Sequence, residues 1–276
     1  MTNKLRPILK WAGGKTQLLP ELLTRIPKEY NRFYEPFIGG GAMLFSLRPI
    51  DGIINDINEQ LINLYNQIKL NVNEVISITN EFDKIRCTKE FYYSMRNKYN
   101  MKISNHMNDA ECASIMIWIN KHCFNGLYRV NNKGFFNVPY NNKSIGKSID
   151  EDNLREISNY LNNTNIMITC LDFEEACKDA AYGDFIYFDS PYIPINNTSN
   201  FVDYSKEGFS MTDHERLASL FKRLDRNGIK LMLSNNDTRL IYDLYKGYHI
   251  QSIDVNRMIN RNGEKRTSKE VIITNY

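Results

Sequence analysis

The tetrapeptide Asp189-Ser190-Pro191-Tyr192 carries residue types that suit chemistry on an amino group attached to a planar ring. It follows the apolar run 185–188, which predicts a buried strand, and open α/β sheets bind ligands at the carboxyl ends of their strands. The Asp189 carboxylate and the Ser190 carbonyl can accept the two amino hydrogens and stabilise positive charge as the nitrogen attacks a sulfonium methyl group. Pro191 fixes the turn, and the Tyr192 ring offers a stacking face for an extruded base. An ordinary strand that ends in an Asp–Pro-type turn has the same pattern.

A glycine-rich turn earlier in the chain is typical of a nucleoside site. Residues 37–41, Phe-Ile-Gly-Gly-Gly, follow one strand and precede a helix, and glycines there let the backbone approach a ligand closely. Asp56 ends the next strand, where a carboxylate can accept both hydroxyls of a ribose. Position 44 is leucine, so the dinucleotide fingerprint fails and a dehydrogenase is only a distant alternative. A methionine-linked nucleoside has no pyrophosphate and does not need that fingerprint, although an ordinary strand–turn–helix junction would show the same glycines.

Several other chemistries lack the residues that they need. Leu9 stands where a P-loop requires its first glycine, so residues 10–16 do not match a phosphate-binding loop. No cysteine follows a proline, which argues against methylation at cytosine C5. The five cysteines form no CxxC pair and the four histidines are isolated, so we expect reduced thiols, a cytoplasmic location and no metal. No apolar run approaches the roughly 20 residues that cross a bilayer, so we expect no membrane partner.

Residues 121–147 form a basic and aromatic segment in a chain whose net charge is only +3. Basic side chains can contact phosphates, Arg and Asn can read base edges, and aromatic rings can wedge between bases. A solvated basic loop on an unrelated surface is the alternative. The segment contains Lys121, Arg129, Lys133, Lys143 and Lys147 together with Phe124, Tyr128, Phe135, Phe136 and Tyr140. A second basic stretch between the last two predicted strands contains Arg257, Arg261, Lys265, Arg266 and Lys269.

Strands and helices alternate at both ends of the chain, around a helical and loop-rich centre. Residues 31–56 predict a βαβ unit, and strands are expected again near 166–170, 185–188, 229–233, 248–255 and 270–274. Thr212 and Glu215 fit a capping box, and Gly228 fits a helix stop. About 110 residues separate the two halves, far more than the dozen or so that a crossover needs. We therefore expect one doubly wound, mostly parallel sheet formed by residues 1–58 and 162–276, with an inserted helical domain at 59–161.

Several longer motifs occur in a fixed order: Lys10-Trp11-Ala12-Gly13-Gly14-Lys15, Glu35-Pro36-Phe37-Ile38-Gly39-Gly40-Gly41, Asn55-Asp56-Ile57-Asn58, Phe124-Asn125-Gly126-Leu127-Tyr128-Arg129, Gly134-Phe135-Phe136-Asn137-Val138-Pro139, Asp189-Ser190-Pro191-Tyr192 and Leu233-Ser234-Asn235. Over nearly the whole chain this set resembles the Dam family of DNA adenine-N6 methyltransferases. The resemblance implies the Rossmann-like class I fold of S-adenosylmethionine-dependent methyltransferases, with the insert recognising DNA. It also implies GATC as the target, methylated at its adenine after base flipping.

The resemblance also assigns residues to roles. Asp189, Ser190, Pro191 and Tyr192 are implied to be catalytic. The residues implied to contact or border S-adenosylmethionine are Trp11, Lys15, Phe37, Gly39, Gly41, Asp56, Asp172 and Asp189. Lys10 and Arg129 are implied to touch target bases, Leu127 and Pro139 to approach neighbouring pairs, Phe124 to act as a wedge and Asn125 to contact DNA. Three departures are Ser190 for the family's usual proline, Phe124 for a tyrosine, and the run 141–143, Asn-Asn-Lys, where some relatives carry an arginine.

The residues leave other functions open. The same tetrapeptide chemistry serves cytosine N4, adenine in RNA, or glutamine in a protein, although the basic aromatic segment favours double-stranded DNA. A non-catalytic DNA-binding relative is a further alternative, against which the intact Asp189 argues. We expect a monomer or a weak dimer. The sequence does not distinguish a restriction–modification enzyme from a host regulator or a phage protein.

Overall fold

A computed structural model describes residues 4–11, 13, 15, 17–143, 146–193, 208–256 and 267–276. Three predicted features lie partly outside these ranges. The residues not described are 12 and 14 of the first motif, 144 and 145 of the basic and aromatic segment, and Arg257, Arg261, Lys265 and Arg266 of the second basic stretch.

A seven-stranded sheet with the order β3-β2-β1-β4-β5-β7-β6 forms the centre of the described structure. The strands β1 to β5 are mutually parallel, and β6 and β7 form an antiparallel pair against β5. The strands are β1 Phe33–Glu35, β2 Asp51–Asn55, β3 Asn165–Thr169, β4 Phe185–Phe188, β5 Lys230–Asn236, β6 His249–Asn256 and β7 Thr267–Thr274. The predicted mixed α/β class with a mostly parallel sheet is therefore confirmed.

Helices flank the sheet and account for most of the central part of the sequence. They are α1 Leu19–Leu23, α2 Ala42–Leu47, α3 Glu59–Asp83, α4 Lys89–Ser104, α5 Ala110–His122, α6 Glu151–Asn162, α7 Phe173–Ala176, α8 Met211–Arg226 and α9 Arg239–Leu244, with a 3₁₀ turn at Phe124–Gly126. Short α1, α7 and the 3₁₀ turn were not predicted, because a few residues show no helical period. No helix in the described ranges combines the length and apolar character that a membrane span requires.

Helices α3 to α6 lie between β2 and β3 in the chain, yet these two strands pair directly, with Gly52 opposite Ile166. The helices pack on the sheet and share its core. Leu64 of α3 and Ile117 of α5 belong to the same buried cluster as Ile54 of β2. The inserted segment is thus continuous with the sheet through apolar packing. Its separate role as a DNA-recognition domain stays a prediction.

The start of α8 differs from the prediction by two residues. Ser210 is the N-cap, its hydroxyl accepts from the Asp213 N–H at 3.2 Å, and the Asp213 carboxylate accepts from the Ser210 N–H at 2.8 Å. Thr212 and Glu215 have the same spacing but lie inside the helix, so the predicted capping box was wrong. The helix begins at the Ser-x-x-Asp box because this box comes first in the chain and forms both reciprocal hydrogen bonds of a capping box. Gly228 follows α8 with φ of +71°, as predicted for a helix stop.

Candidate active site

The glycine turn and the tetrapeptide leave adjacent strands at the same edge of the sheet. Strand β1 pairs with β2 on one side and with β4 on the other, and the strand order reverses between β1 and β4. Residues 37–41 follow β1, and residues 189–192 follow β4. The carboxyl edge at such a reversal forms a crevice in which α/β proteins bind ligands. The topology therefore brings the two sequence motifs together.

Asp189 is held at one of its two carboxylate oxygens. Lys15 Nζ lies 2.6 Å from Oδ1, and Ser234 Oγ donates to the same oxygen at 3.1 Å. The ammonium of Lys15 also lies 4.4 Å from the centre of the Tyr192 ring. Burial raises the pKa of Asp189 above its ordinary value, and both Lys15 and the Ser234 hydrogen bond oppose that rise. These contacts fix the carboxylate and favour its charged form.

Glu35 is a second carboxyl group beside Asp189, and the sequence motifs gave it no role of its own. It is only 2% exposed and accepts from the Leu44 N–H at 3.1 Å. Burial, and next the negative charge of Asp189, hold the pKa of Glu35 well above its usual range. The signal that identifies it is a carboxylate at the end of a fully buried strand. The site thus pairs a buried acid with a more accessible carboxylate.

The loop that carries the tetrapeptide is anchored to β5. Asn235 Oδ1 accepts from the Ile193 N–H at 3.0 Å, and Asn236 Nδ2 donates to the Ile193 carbonyl at 2.7 Å. Asn235 Nδ2 lies 3.4 Å from the Ser190 hydroxyl, an acceptor that a proline at 190 would not provide. The Tyr192 hydroxyl donates to Glu270 on β7 at 2.9 Å. The loop is therefore held by main-chain and side-chain bonds at several points.

Asp56 lies against the glycine turn. Its Oδ2 accepts from the Gly39 N–H at 3.1 Å and its Oδ1 accepts from the Asn58 N–H at 3.0 Å. A carboxylate has about four acceptor positions, so capacity remains for two ligand hydroxyls. Burial raises the pKa of Asp56 to about 6, against the opposing effect of the backbone hydrogen bonds.

Because glycines lack a Cβ atom, neighbouring side chains of the protein can pack closely against the glycine turn. A Cβ at Gly39, whose φ is +47°, would lie 2.8 Å from the Trp11 ring. A Cβ at Gly41, whose φ is +75°, would lie 2.7 Å from the Tyr65 hydroxyl. Trp11 in turn stacks on Tyr128, with ring centres 4.9 Å apart. These two glycines are thus required by packing and by backbone conformation as well as by any ligand.

Three phenylalanine rings form an apolar cluster beside the turn. Phe37 lies 5.5 Å from Phe173 and 5.8 Å from Phe209, measured between ring centres. Asp172 caps α7 next to Phe173 and pairs with Arg216 at 2.9 Å. The guanidinium of Arg216 also lies 4.8 Å from the Phe173 ring centre. The planar rings, together with the unused acceptor positions of the Asp56 carboxylate, fit a nucleoside. Within the described ranges, no three potential metal ligands cluster.

The predicted DNA-contacting residues of the centre are linked to the N-terminal segment. Asn120 of α5 accepts from the Lys10 N–H at 3.1 Å and donates to the Lys10 carbonyl at 3.0 Å. The Phe124 N–H donates to the Pro139 carbonyl at 2.8 Å, and the Phe124 ring is 52% exposed. Asn125 is exposed, with φ of +57°. Lys10, Phe124, Asn125 and Pro139 therefore belong to one connected surface.

Arg129 and Leu127 continue this segment. Arg129 is exposed, and its Nε donates to Asn137 Oδ1 at 2.7 Å. Leu127 is half-buried. Tyr128 and Phe136, which the sequence placed among the DNA-facing aromatics, are instead buried in the core. Composition identified the aromatic segment but did not show which rings face inward.

Comparisons with known proteins agree with this arrangement. The family model of the D12 class N6 adenine-specific DNA methyltransferases matches residues 11–259. The Type II methyltransferase M1.LlaDCHI of Lactococcus lactis subsp. cremoris is 44% identical, over 99% of this chain and 96% of the relative's own length. M.MjaIII of Methanocaldococcus jannaschii is 41% identical over 99% of this chain and 100% of its own. The DNA adenine methylase of Haemophilus influenzae is 33% identical over 98% of this chain and 93% of its own.

Among solved structures, precorrin 8W decarboxylase from Methanobacterium thermoautotrophicum covers 95% of the chain and 90% of its own, with a TM-score of 0.40 and 8% identity, which is too remote to indicate a shared function. By contrast, the family model matches most of the chain, and the relatives align with nearly its whole length. The family model and the relative from Haemophilus influenzae both name methylation of adenine in DNA. The chain belongs to the D12 class of N6 adenine-specific DNA methyltransferases.

Proposed function

We propose that the chain methylates the adenine of GATC in double-stranded DNA, with Asp189 and the Ser190 carbonyl holding a flipped-out base. One observation carries this proposal. Lys15 and Ser234 both contact Oδ1 of Asp189, so within the described part of the chain Oδ2 is left for a substrate amino group. We place that oxygen, together with Asp56 and the glycine turn, at the carboxyl edge of the sheet where the strand order reverses.

The residues of the tetrapeptide act on the target nitrogen. Oδ2 of Asp189 and the Ser190 carbonyl accept its two hydrogens, which stabilises the positive charge that grows on nitrogen during attack. S-adenosylmethionine, when bound, would supply the methyl group as an activated sulfonium, with the sulfur as the leaving group that keeps the electron pair of the C–S bond. The surplus N6 proton then leaves to Asp189 or, through it, to solvent. The Tyr192 ring stacks on the base and is fixed by its bond to Glu270.

The residues that fit S-adenosylmethionine lie along the same edge. We assign its ribose hydroxyls to Asp56 and its flat ring to the phenylalanine cluster that includes Phe37, with Asp172 beside it. Gly39 and Gly41 shape the turn, and Trp11 packs on it. Lys15 borders the methyl donor through its ion pair with Asp189. No metal is required, because a sulfonium methyl group is already activated.

The DNA-contacting residues are assigned to the surface around the 3₁₀ turn. We assign Lys10 and Arg129 to the target bases, the exposed Phe124 to the role of wedge, and Asn125, Leu127 and Pro139 to the neighbouring pairs. In this proposal residues 59–161 recognise the target, and residues 1–58 and 162–276 carry the cofactor and the chemistry. We propose that the enzyme acts as a monomer or a weak dimer. The names of the relatives, which include a DNA adenine methylase and Type II methyltransferases, support this function.

Expression in a host without DNA methylation, followed by mapping of modified bases, tests the proposal. We expect N6-methyladenine at GATC. Recovery of N6-methyladenine in another sequence would reject GATC as the target but would still support the proposed reaction. Label found only on cytosine N4 or on RNA, in a transfer assay with tritiated methyl donor, would contradict the proposed acceptor.

A further inference from the structure

A buried chain of hydrogen-bonded hydroxyl groups ends on the Asp189 carboxylate. Ser234 Oγ lies 3.1 Å from Asp189 Oδ1, and the Tyr187 hydroxyl lies 2.9 Å from the same Ser234 oxygen. Tyr187 and Ser234 are both fully buried. Each hydroxyl has one proton, and an ionised carboxylate only accepts. Ser234 therefore donates to Asp189, and Tyr187 donates to Ser234.

Regular sheet geometry produces this chain. Strands β4 and β5 are parallel, with Tyr187 opposite Met232 and Phe188 opposite Leu233. One step further along the same register, Asp189 stands opposite Ser234. Tyr187 and Asp189 are two residues apart, so their side chains leave the same face of the sheet. The two supporting hydroxyls thus both lie on strands of the sheet, Tyr187 on β4 and Ser234 on β5.

We propose that Tyr187 and Ser234 are positioning residues, which hold Asp189 by Oδ1 so that Oδ2 faces the target amine. This inference rests on the proposed role of Asp189. Sequence motifs did not assign Tyr187 to any function, and Ser234 occurred only within a family motif. Neither residue would touch DNA or cofactor. In this inference their effect on the reaction passes through the orientation and charge of Asp189, although the Ser234 hydroxyl also lies beside Tyr192.

The groups around Asp189 make a hydroxyl donor important. Glu270 on β7 disfavours a negative charge on Asp189, while Lys15 favours it, and the charge of Asp189 in turn raises the pKa of the buried acid Glu35 on β1. The hydroxyls of Tyr187 and Tyr192 lie next to Asp189 as well, and the pKa of both tyrosines is well above the usual range because of burial. The bond from Ser234 lowers the pKa of Asp189. Removing that bond must therefore raise the pKa of Asp189 and move the acid limb of the rate profile to higher pH.

Two nearly isosteric substitutions test the inference. We expect Ser234→Ala to lower kcat on GATC-containing duplex DNA about tenfold, the size expected for loss of one hydrogen bond to a charged group, and to shift the acid limb upward. The KM for S-adenosylmethionine should change by less than about threefold, because Asp56 and the glycine turn are untouched. Tyr187→Phe should lower kcat less, about threefold. The double variant should resemble Ser234→Ala alone, since Tyr187 acts through Ser234.

Tyr34→Phe is the matched control. Tyr34 is equally buried, on the neighbouring strand β1, but its hydroxyl bonds the Asp179 carbonyl at 3.2 Å and takes no part in the chain to Asp189. It should leave kcat and the pH profile unchanged. An equal loss of kcat in Tyr34→Phe and Tyr187→Phe, or an unmoved acid limb in both Ser234→Ala and Tyr187→Phe, would overturn the inference. Absence of adenine methylation by the wild-type enzyme would instead reject the proposed function itself.

Discussion

At the scale of single residues, the site separates two acidic side chains that stand close together. Glu35 is 2% exposed and bonds a backbone N–H, whereas the Asp189 side chain is 21% exposed and pairs with Lys15. Burial raises the pKa of both, but only Asp189 has a cation within contact distance to oppose it. Asp189 is therefore the carboxylate that stays charged and accessible to a substrate.

Substitution of Asp189 should separate chemistry from cofactor binding. In Asp189→Ala the acceptor of the amino hydrogens is lost, so we expect the single-turnover rate to fall at least about a hundredfold. The affinity for S-adenosylmethionine, measured by calorimetry, should fall much less, because Asp56 remains. Ser190→Pro is the contrast: the carbonyl at 190 survives, so activity should stay within about threefold. Near-normal turnover in Asp189→Ala would contradict the assigned role.

Asp56 should make cofactor binding pH-dependent. Its pKa lies at about 6 in the folded protein without cofactor, so the carboxylate is charged above that pH and protonated below it. The charged form is the better acceptor for ribose hydroxyls, so affinity for S-adenosylmethionine should rise as pH increases through about 6. The variant Asp56→Asn should bind weakly at every pH in this range and lose the dependence. A wild-type affinity that is flat from pH 5 to 7 would exclude Asp56 as a hydroxyl acceptor.

At the scale of elements, polar side chains tie strand ends and helix starts in the positions that the site needs. Asn55, at the end of β2, donates to the Pro36 carbonyl after β1 at 3.0 Å and to the Leu171 carbonyl after β3 at 2.9 Å. It also accepts from the Leu171 N–H at 2.9 Å. One buried amide thus joins the three loops that carry Phe37, Asp56 and Asp172.

The capping of α8 gives a stability test. Ser210→Ala removes the N-cap of this helix and should lower the free energy of unfolding by about 1 kcal/mol. Thr212→Ala, at the exposed second helical position, should change it by less than about 0.5 kcal/mol. Chemical denaturation of both variants measures the difference. A larger loss in Thr212→Ala than in Ser210→Ala would place the helix start where the sequence alone had suggested.

At the scale of the whole molecule, the N-terminal segment joins the recognition surface to the catalytic edge. Lys10 is bonded through its main chain to Asn120 of α5, and five residues later Lys15 pairs with Asp189. The carbonyl of Gly126, in the 3₁₀ turn, accepts from the same Asn120 at 3.0 Å. The 3₁₀ turn and the N-terminal segment therefore share the side-chain amide of one buried residue.

Gly126 offers a way to disturb the DNA surface alone. A Cβ there would lie 2.6 Å from the Lys10 side chain, at a φ of +66°. We expect Gly126→Ala to weaken binding of GATC duplexes about tenfold or more, with little effect on affinity for S-adenosylmethionine. Gly134→Ala is the control, because φ there is also positive, at +80°, but a Cβ would meet no atom within 4 Å. Equal losses in the two variants would assign the effect to backbone strain and not to the displacement of Lys10.

The sequence by itself determined the parts of this protein whose signals are local. The apolar run 185–188, the glycine turn and the alternation of strands and helices follow from periodicity and turn chemistry. They predicted the α/β class, which the structure confirms, and the sheet edge that we propose as the active site. The family motifs identified Asp189 because the tetrapeptide and its strand are contiguous. Near the start of α8, two boxes with equal spacing compete, and local pattern alone chose the wrong one.

Only the tertiary structure decided which distant residues meet. Glu35, Tyr187 and Ser234 surround Asp189 through strand pairing, and Tyr128 and Phe136 turn inward while Phe124 stays exposed. Such facts depend on register and on packing between segments that are 45 residues apart for Asp189 and Ser234 and more than 100 apart for Glu35 and Asp189, where loop closure and burial act on the whole chain and leave no local pattern. The carboxylate to which we assign the chemistry is thus visible in the sequence, and the hydroxyl groups that support it become visible only in the fold.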